Sequence, residues 1–205
     1  MRVAQEHPPT KEKLLDAAQR LMLAKGFEAT SVEEICEEAG LTKGSFFHYF
    51  ESKEDLGKAV LEHFCEAKLR EFQAAPFLKK ADPLERVYGQ IDFAIAMSKK
   101  MKDDPVARNG CLVGTFVQEL STPHPEIRSL CAQKFAQWTG GFKQELDAAK
   151  AKYAPHARLD TRSLAEHFLP VLEGSLIIAK AKQDAGVMKQ NLQHFKQYLR
   201  SLFGR

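Results

Sequence analysis

The sequence predicts an all-α chain: an N-terminal three-helix helix-turn-helix domain followed by a larger helical domain. Three observations predict it. Apolar residues recur at helical spacing along nearly the whole chain, and no stretch sustains alternation with β-branched enrichment. The first three helical runs are short and punctuated by cap and stop residues. A glycine-containing turn, Ala39-Gly40-Leu41-Thr42, joins the second to the third.

In chain order, the segment ending at Pro8-Pro9 reads as a flexible arm over 1–9. A first helix opens near Thr10, buries Leu14, Ala17, Ala18, Leu21 and Met22, and stops at Gly26, which suits a left-handed C′ position. Ser31-Val32-Glu33-Glu34 is a capping box opening a second helix that Gly40 ends. Thr42 caps a third through Phe50, and Ser52 starts a fourth with Leu56, Val60, Leu61 and Phe64 inward. The small domain is thus assigned to 10–56 and the larger one to 57–205. Pro76 marks a bend, and Asp82-Pro83 begins a helix reaching about Lys102, with Asp as cap and Pro in the first turn. After a loop containing Asp103-Asp104-Pro105 and Asn109-Gly110 come a short apolar helix, Cys111 to Leu120, and a long one from Pro125. Two more run over roughly 161–184 and 187–203, joined near Gly186.

Bulk properties exclude more than they assign. With 205 residues, 44% of them hydrophobic, the chain can bury a large core without disulfides or a structural metal. The four cysteines (36, 65, 111, 131) form no CxxC group, so free thiols in a reducing cytoplasm are expected. The longest apolar stretch, Phe168 to Ala179, spans twelve residues and includes Glu173, too short and too polar for a bilayer. No membrane partner, metal or cofactor is expected. No HExxH, GxSxG, Walker or GxGxxG motif and no Glu-x-x-His pair supports an enzyme. The net charge of +3 hides an asymmetry: residues 1–70 hold ten Lys/Arg against thirteen Asp/Glu, 10 − 13 = −3. A large basic patch is the usual footprint of a nucleic-acid binder. Any DNA contact here must rest on a small, well-aimed surface.

The third helix supplies one. At about 100° per residue, Phe46 and Phe50 share a side with Leu41 and pack inward. Lys43, Gly44, Ser45, Phe47, His48 and Tyr49 then face outward. Two aromatics on the outer face of so short a helix need something to cover them, and DNA sugars, phosphates and thymine methyls would do so. The run from Thr30 through Ser31-Val32-Glu33-Glu34-Ile35-Cys36, Ala39-Gly40-Leu41-Thr42-Lys43-Gly44-Ser45-Phe46-Phe47-His48-Tyr49-Phe50 to Lys53 and Leu56 resembles the N-terminal signature of TetR-family regulators. The resemblance is specific over about 10–65. It implies a homodimeric regulator, a repressor that binds double-stranded operator DNA and is released by an effector.

Carried over residue by residue, the resemblance places Thr30 and Ser31 on a phosphate at the positive end of the second helix. It places Lys43 and Ser45 on base edges in the major groove. Gly44 lets the backbone approach, and Thr42 caps the same helix. Phe47, His48 and Tyr49 contact sugar-phosphate or thymine methyls, and Lys53 neutralises another phosphate. A disturbance in the C-terminal domain would move the fourth helix and spoil the spacing of two recognition helices. The competing reading is an adaptor or small-molecule binder that kept the module and lost DNA binding; the acidic N-terminal third favours it.

In the larger domain, Leu172 and Leu176 lie on one helix, and Leu192, Phe195 and Leu199 form a 3-4-3 stripe on the last. These stripes suit an intersubunit four-helix bundle; the alternative is that both face each subunit's own core, and the two can hold in part together. Phe93, Met97, Phe116, Phe135, Trp138 and Phe142 suit either an apolar effector cavity or plain core. Asn109-Gly110-Cys111-Leu112-Val113-Gly114 resembles a subset of TetR-like regulators, some responsive to electrophiles or oxidants. That subset carries a lysine in the penultimate helix, matching Lys180 here. The resemblance implies a reactive Cys111 thiol beside Lys180; the alternative is a small buried hydrophobe.

Overall fold

The computed structural model describes residues 9–103 and 110–204. The expected arm over 1–9 therefore lies, except for Pro9, outside the described residues, as do Asp104, Pro105 and Asn109 of the expected loop. Among the described residues the chain forms α-helices and no strand. The helices are α1 (Pro9–Lys25), α2 (Val32–Ala39), α3 (Lys43–Tyr49), α4 (Lys53–Gln73), α5 (Pro83–Asp103), α6 (Leu112–Leu120), α7 (Pro125–Tyr153), α8 (Thr161–Lys182) and α9 (Gly186–Phe203). A single 3₁₀ turn, Pro76–Lys79, occupies the predicted bend. No helix is long and apolar enough to cross a membrane among these residues.

Punctuation residues set the boundaries. Ser31 accepts from the Glu34 amide while the Glu34 side chain returns to the Ser31 amide, the capping box expected from sequence. Gly40 closes α2 at φ 66°, a left-handed conformation costly to any residue with a Cβ. Asp82 caps α5, accepting from Leu84 N at 2.8 Å and Glu85 N at 3.1 Å. Gln183, at φ 52°, stops α8 two residues before the expected end near 184.

The chain divides into two compact units. The first takes the chain up to Leu69 together with Leu112–Cys131; the second takes Arg70–Cys111 and the chain from Ala132 on. This differs from the division expected at 56/57. The sequence boundary fell inside α4, whose apolar stripe continues through Val60, Leu61 and Phe64, all buried. It also left α6 with the larger domain, whereas the Phe116 ring on α6 meets Phe27 edge-on at 5.7 Å within the first unit. Linear order predicts helices better than it predicts which helices share a core.

The first unit buries Leu14, Leu15, Ala17, Ala18 and Met22 of α1 together with Ile35 and Cys36 of α2 and Phe46 of α3. α1 packs on α2, α3 and α6. The second unit gathers Val87 and Ile91 of α5, Phe142 and Leu146 of α7, Leu164 and Phe168 of α8, and Leu192, Phe195 and Leu199 of α9 into one core. The α9 stripe expected at a subunit interface is placed in the protomer's own core. Leu192, Phe195 and Leu199 are at most 4% exposed inside their own protomer, because the α9 stripe faces α5 and α8. Leu172 and Leu176 are half-buried against the same core. The apolar side chains left outward on this pair of helices are Ile177, Ile178 and Tyr198, each more than 40% exposed.

Candidate nucleic-acid interface and effector region

Helix α3 is held from behind and left open in front. Thr42 caps it, accepting from Ser45 N at 3.1 Å, and the two hydroxyl oxygens also lie 3.1 Å apart. Phe46 (0% exposed) and Phe50 (2%) anchor the buried side, and Phe47 stands 60% exposed on the other. Lys43, Gly44 and His48 are exposed, and Ser45 and Tyr49 half-exposed. His48 and Tyr49 rings meet edge-on at 4.7 Å, which stiffens the outer face. The expected outward set is therefore brought together on one surface.

Two neighbours of that surface behave differently from expectation, and one member of it is already engaged. Thr30 is fully buried, and its hydroxyl donates to Gly26 O at 2.7 Å instead of facing solvent. Lys53 turns inward: Nζ donates to Phe27 O at 3.2 Å and Glu28 O at 3.4 Å and lies 4.5 Å from the Phe27 ring centroid. Lys43 is ion-paired with Glu33 across α2 and α3. That hydrogen bond from Lys43 holds the Glu33 carboxyl below its usual range. Ser31 stays half-exposed at the α2 N-terminus, engaged with Glu34. Glu34 is depressed to about 2, first by the Lys25 ammonium at 2.5 Å and then by the Ser31 amide. Nothing local in the sequence marked Thr30 or Lys53 as inward, since a threonine beside a cap and a helix-start lysine are commonly exposed.

The aromatics offered for an effector cavity have these surroundings among the described residues. Phe116 is buried in the first unit against Phe27. Phe142 stacks on Phe168 at 4.7 Å in the second-unit core. Phe93 packs on Phe72 and Phe77, and Phe135 on Trp138 at 5.7 Å. Met97 is half-buried on α5. An open cleft lies on α8 and α9, lined by His167, Val171, Gly174, Ile178, His194 and Tyr198 among others.

Cys111 is half-buried, outside any disulfide, immediately before α6. Its side chain hydrogen-bonds the Glu173 carboxyl, not the expected Lys180, which is exposed about 10 Å further along α8. Burial pushes the Glu173 carboxyl up, and the Cys111 hydrogen bond only partly opposes that; its Oε1 is buried without a partner. Cys36 and Cys131 are buried, and burial raises both thiols, Cys131 to about 11. Glu173 is thus a local liability. An acid whose folded-state value is raised stabilises the fold below its unfolded value of 4.5 and loses that contribution as pH climbs through the raised value. Glu173→Met removes both the charge and the orphaned oxygen. It is expected to raise Tm at pH 8 by about 2–4 °C, with the gain shrinking at pH 4. Thermal scans at the two pH values check this, and an equal gain at both would remove the ionisation argument.

Comparison with known proteins agrees with this geometry. Residues 14–60 match the family described as bacterial regulatory proteins, tetR family, and residues 83–195 match the tetracyclin repressor-like C-terminal domain. The chain is 25% identical over 184 residues to the HTH-type transcriptional repressor DhaR of a Mycobacterium strain, covering 90% of this chain and 89% of the relative. It is 29% identical over 173 residues to the transcriptional regulator AcuR of Cereibacter sphaeroides, covering 82% and 75%. The crystal structure of a TetR regulatory protein from Rhodobacter sphaeroides aligns with a TM-score of 0.80 at 28% identity, over 93% of this chain and 98% of that one. With both halves of the architecture matched and a recognition helix exposed in front of its own small core, the chain belongs to the TetR family of helix-turn-helix transcriptional regulators.

Proposed function

We propose that this regulator is a repressor that grips operator DNA as a homodimer and lets go when Cys111 is alkylated or oxidised. The observation that carries the DNA half is the outward set Lys43, Ser45, Phe47, His48 and Tyr49 on α3. In the major groove, Lys43 and Ser45 read base edges, while the aromatics and the α2 N-terminus sit on sugar and phosphate. One such short helix makes few contacts, so two copies spaced by about one DNA turn supply the affinity. The exposed Ile177, Ile178 and Tyr198, with the cleft beside them, support α8 and α9 as the self-association face. Repression is supported by the likeness to DhaR, whose name records it.

The release half rests on Cys111. It is less buried than Cys36, Cys65 and Cys131 and sits where the chain passes from the second unit into the first. A mobility-shift titration with a selected operator duplex, with and without N-ethylmaleimide, tests both halves. Wild type is expected to give a salt-sensitive, sequence-dependent shift that the maleimide abolishes, and Cys111→Ser to keep its shift under the same treatment. No sequence-dependent shift would remove the operator reading; an unchanged maleimide response in Cys111→Ser would remove the thiol reading alone.

A further inference from the structure

The backbone of two residues between α1 and α2 is gripped by charge on both sides. Glu119 on α6 accepts from Phe27 N at 2.8 Å and from Glu28 N at 2.7 Å, one carboxylate oxygen to each amide. Lys53 at the start of α4 takes the carbonyl oxygens of the same two residues. Both donors and both acceptors of the Phe27-Glu28 pair are therefore held by ionised side chains 26 residues downstream and about 90. Gly26 makes the approach feasible: at φ +91° it has no Cβ, and one there would stand 2.9 Å from Glu119 Oε2. Phe27 seals the arrangement, fully buried between Phe116 and His124, its ring edge against Gly57.

We propose that Glu119 is a positioning residue for operator binding. It touches no DNA; it fixes the loop that ends in buried Thr30 and in Ser31, the cap of α2, and α2 carries α3 through the Gly40 turn. α6 is a nine-residue helix, and its first residue follows Cys111. A shift or rotation of α6 at that end reaches the α2 cap through one carboxylate. Charge-assisted hydrogen bonds to successive amides resist such displacement better than apolar contact, which slides. The sequence offers no hint of this role, since Glu119 lies on the other side of the second unit's first segment.

The role has a sign that separates it from mere surface charge. Removing an anion from a DNA-binding unit raises affinity for every duplex by general electrostatics. Removing a positioning anion lowers affinity for the operator alone. Affinities for a duplex selected from a random pool and for an unrelated duplex are measured by fluorescence anisotropy at one salt concentration, for wild type, Glu119→Gln and Glu119→Ala. Operator affinity is expected to fall at least about tenfold in Glu119→Ala and less in Glu119→Gln, which keeps one acceptor oxygen, while binding to the unrelated duplex does not fall. Amide exchange at Phe27 and Glu28, followed by NMR in free protein, is expected to speed up in the same order. Lys53→Met is expected to speed exchange at the same two amides, because it releases the carbonyls of the loop that Glu119 holds by its amides. Parallel changes on both duplexes, an unaltered operator affinity, or unaltered exchange at the two amides would overturn the proposal. The exchange measurement needs no DNA, so it stands apart from any failure of the operator reading.

Discussion

Alanine at Lys43 or Tyr49 is expected to weaken operator binding by about 30-fold or more while leaving the dimer whole. A good base-edge or groove contact is worth about 1–3 kcal/mol, and a symmetric dimer loses it twice, giving about 2–6 kcal/mol. Neither side chain belongs to the buried core: Lys43 is exposed, and Tyr49 is half-exposed with its ring edge-on to His48. Helix content, Tm and sedimentation should therefore match wild type. Glu33→Gln in the same titration should move the other way, by a few-fold. The Glu33 carboxylate holds the Lys43 ammonium, and a phosphate or base must compete with it. That pair is exposed on both sides, so its removal costs the fold little. A Lys43→Ala protein that falls apart into monomers would mean the outward face is misassigned. A Glu33→Gln protein with weaker binding would mean that Glu33 positions Lys43 for DNA instead of detaining it.

Phe27→Ala is expected to lower Tm by about 6–20 °C. Truncating a fully buried phenylalanine costs about 3–5 kcal/mol, lost transfer energy plus the cavity left behind. For a chain of this size each kcal/mol shifts Tm by about 2–4 °C. The neighbours cannot collapse into the gap cheaply, because Phe116 is itself fully buried and the flanking loop is pinned by Glu119 and Lys53. A Cβ at Gly57 would sit 2.7 Å from the Phe27 ring, so Gly57→Ala should also destabilise. In the Phe27→Ala background the same change should cost much less, a coupling that a double-mutant cycle isolates. A Phe27→Ala protein melting within about 2 °C of wild type would show that this ring is not the seal of the junction.

Local chemistry made the helices legible. Ser31 with Glu34, Gly40, Thr42, and Asp82 with Pro83 each act within a turn of their own position, and a reader of the sequence sees every participant at once. The outer face of α3 was legible for the same reason, since Phe46 and Phe50 fix its rotation. Long-range partners were not. Periodicity told that Leu192, Phe195 and Leu199 line one side of α9, but an apolar stripe does not say whether its own α5 and α8 or a second subunit will cover it. Lys53 and Thr30 look like surface residues until the loop they hold is folded back beside them. Cys111 was matched to Lys180, whereas Glu173, one heptad earlier on the same side of α8, is what meets the thiol.

The internal pairing of charge in the first unit reaches beyond its stability. Arg20, Lys25, Lys43, Lys53 and Lys58 each lie against a carboxylate, on Glu38, Glu34, Glu33, Glu28 and Glu126 in turn. Each such pairing leaves one cation fewer to displace the ion cloud around an arbitrary double helix, and indiscriminate adhesion scales with that number. Bulk chromosome is then expected to sequester less of the protein than it would of a unit with the same cations unpaired.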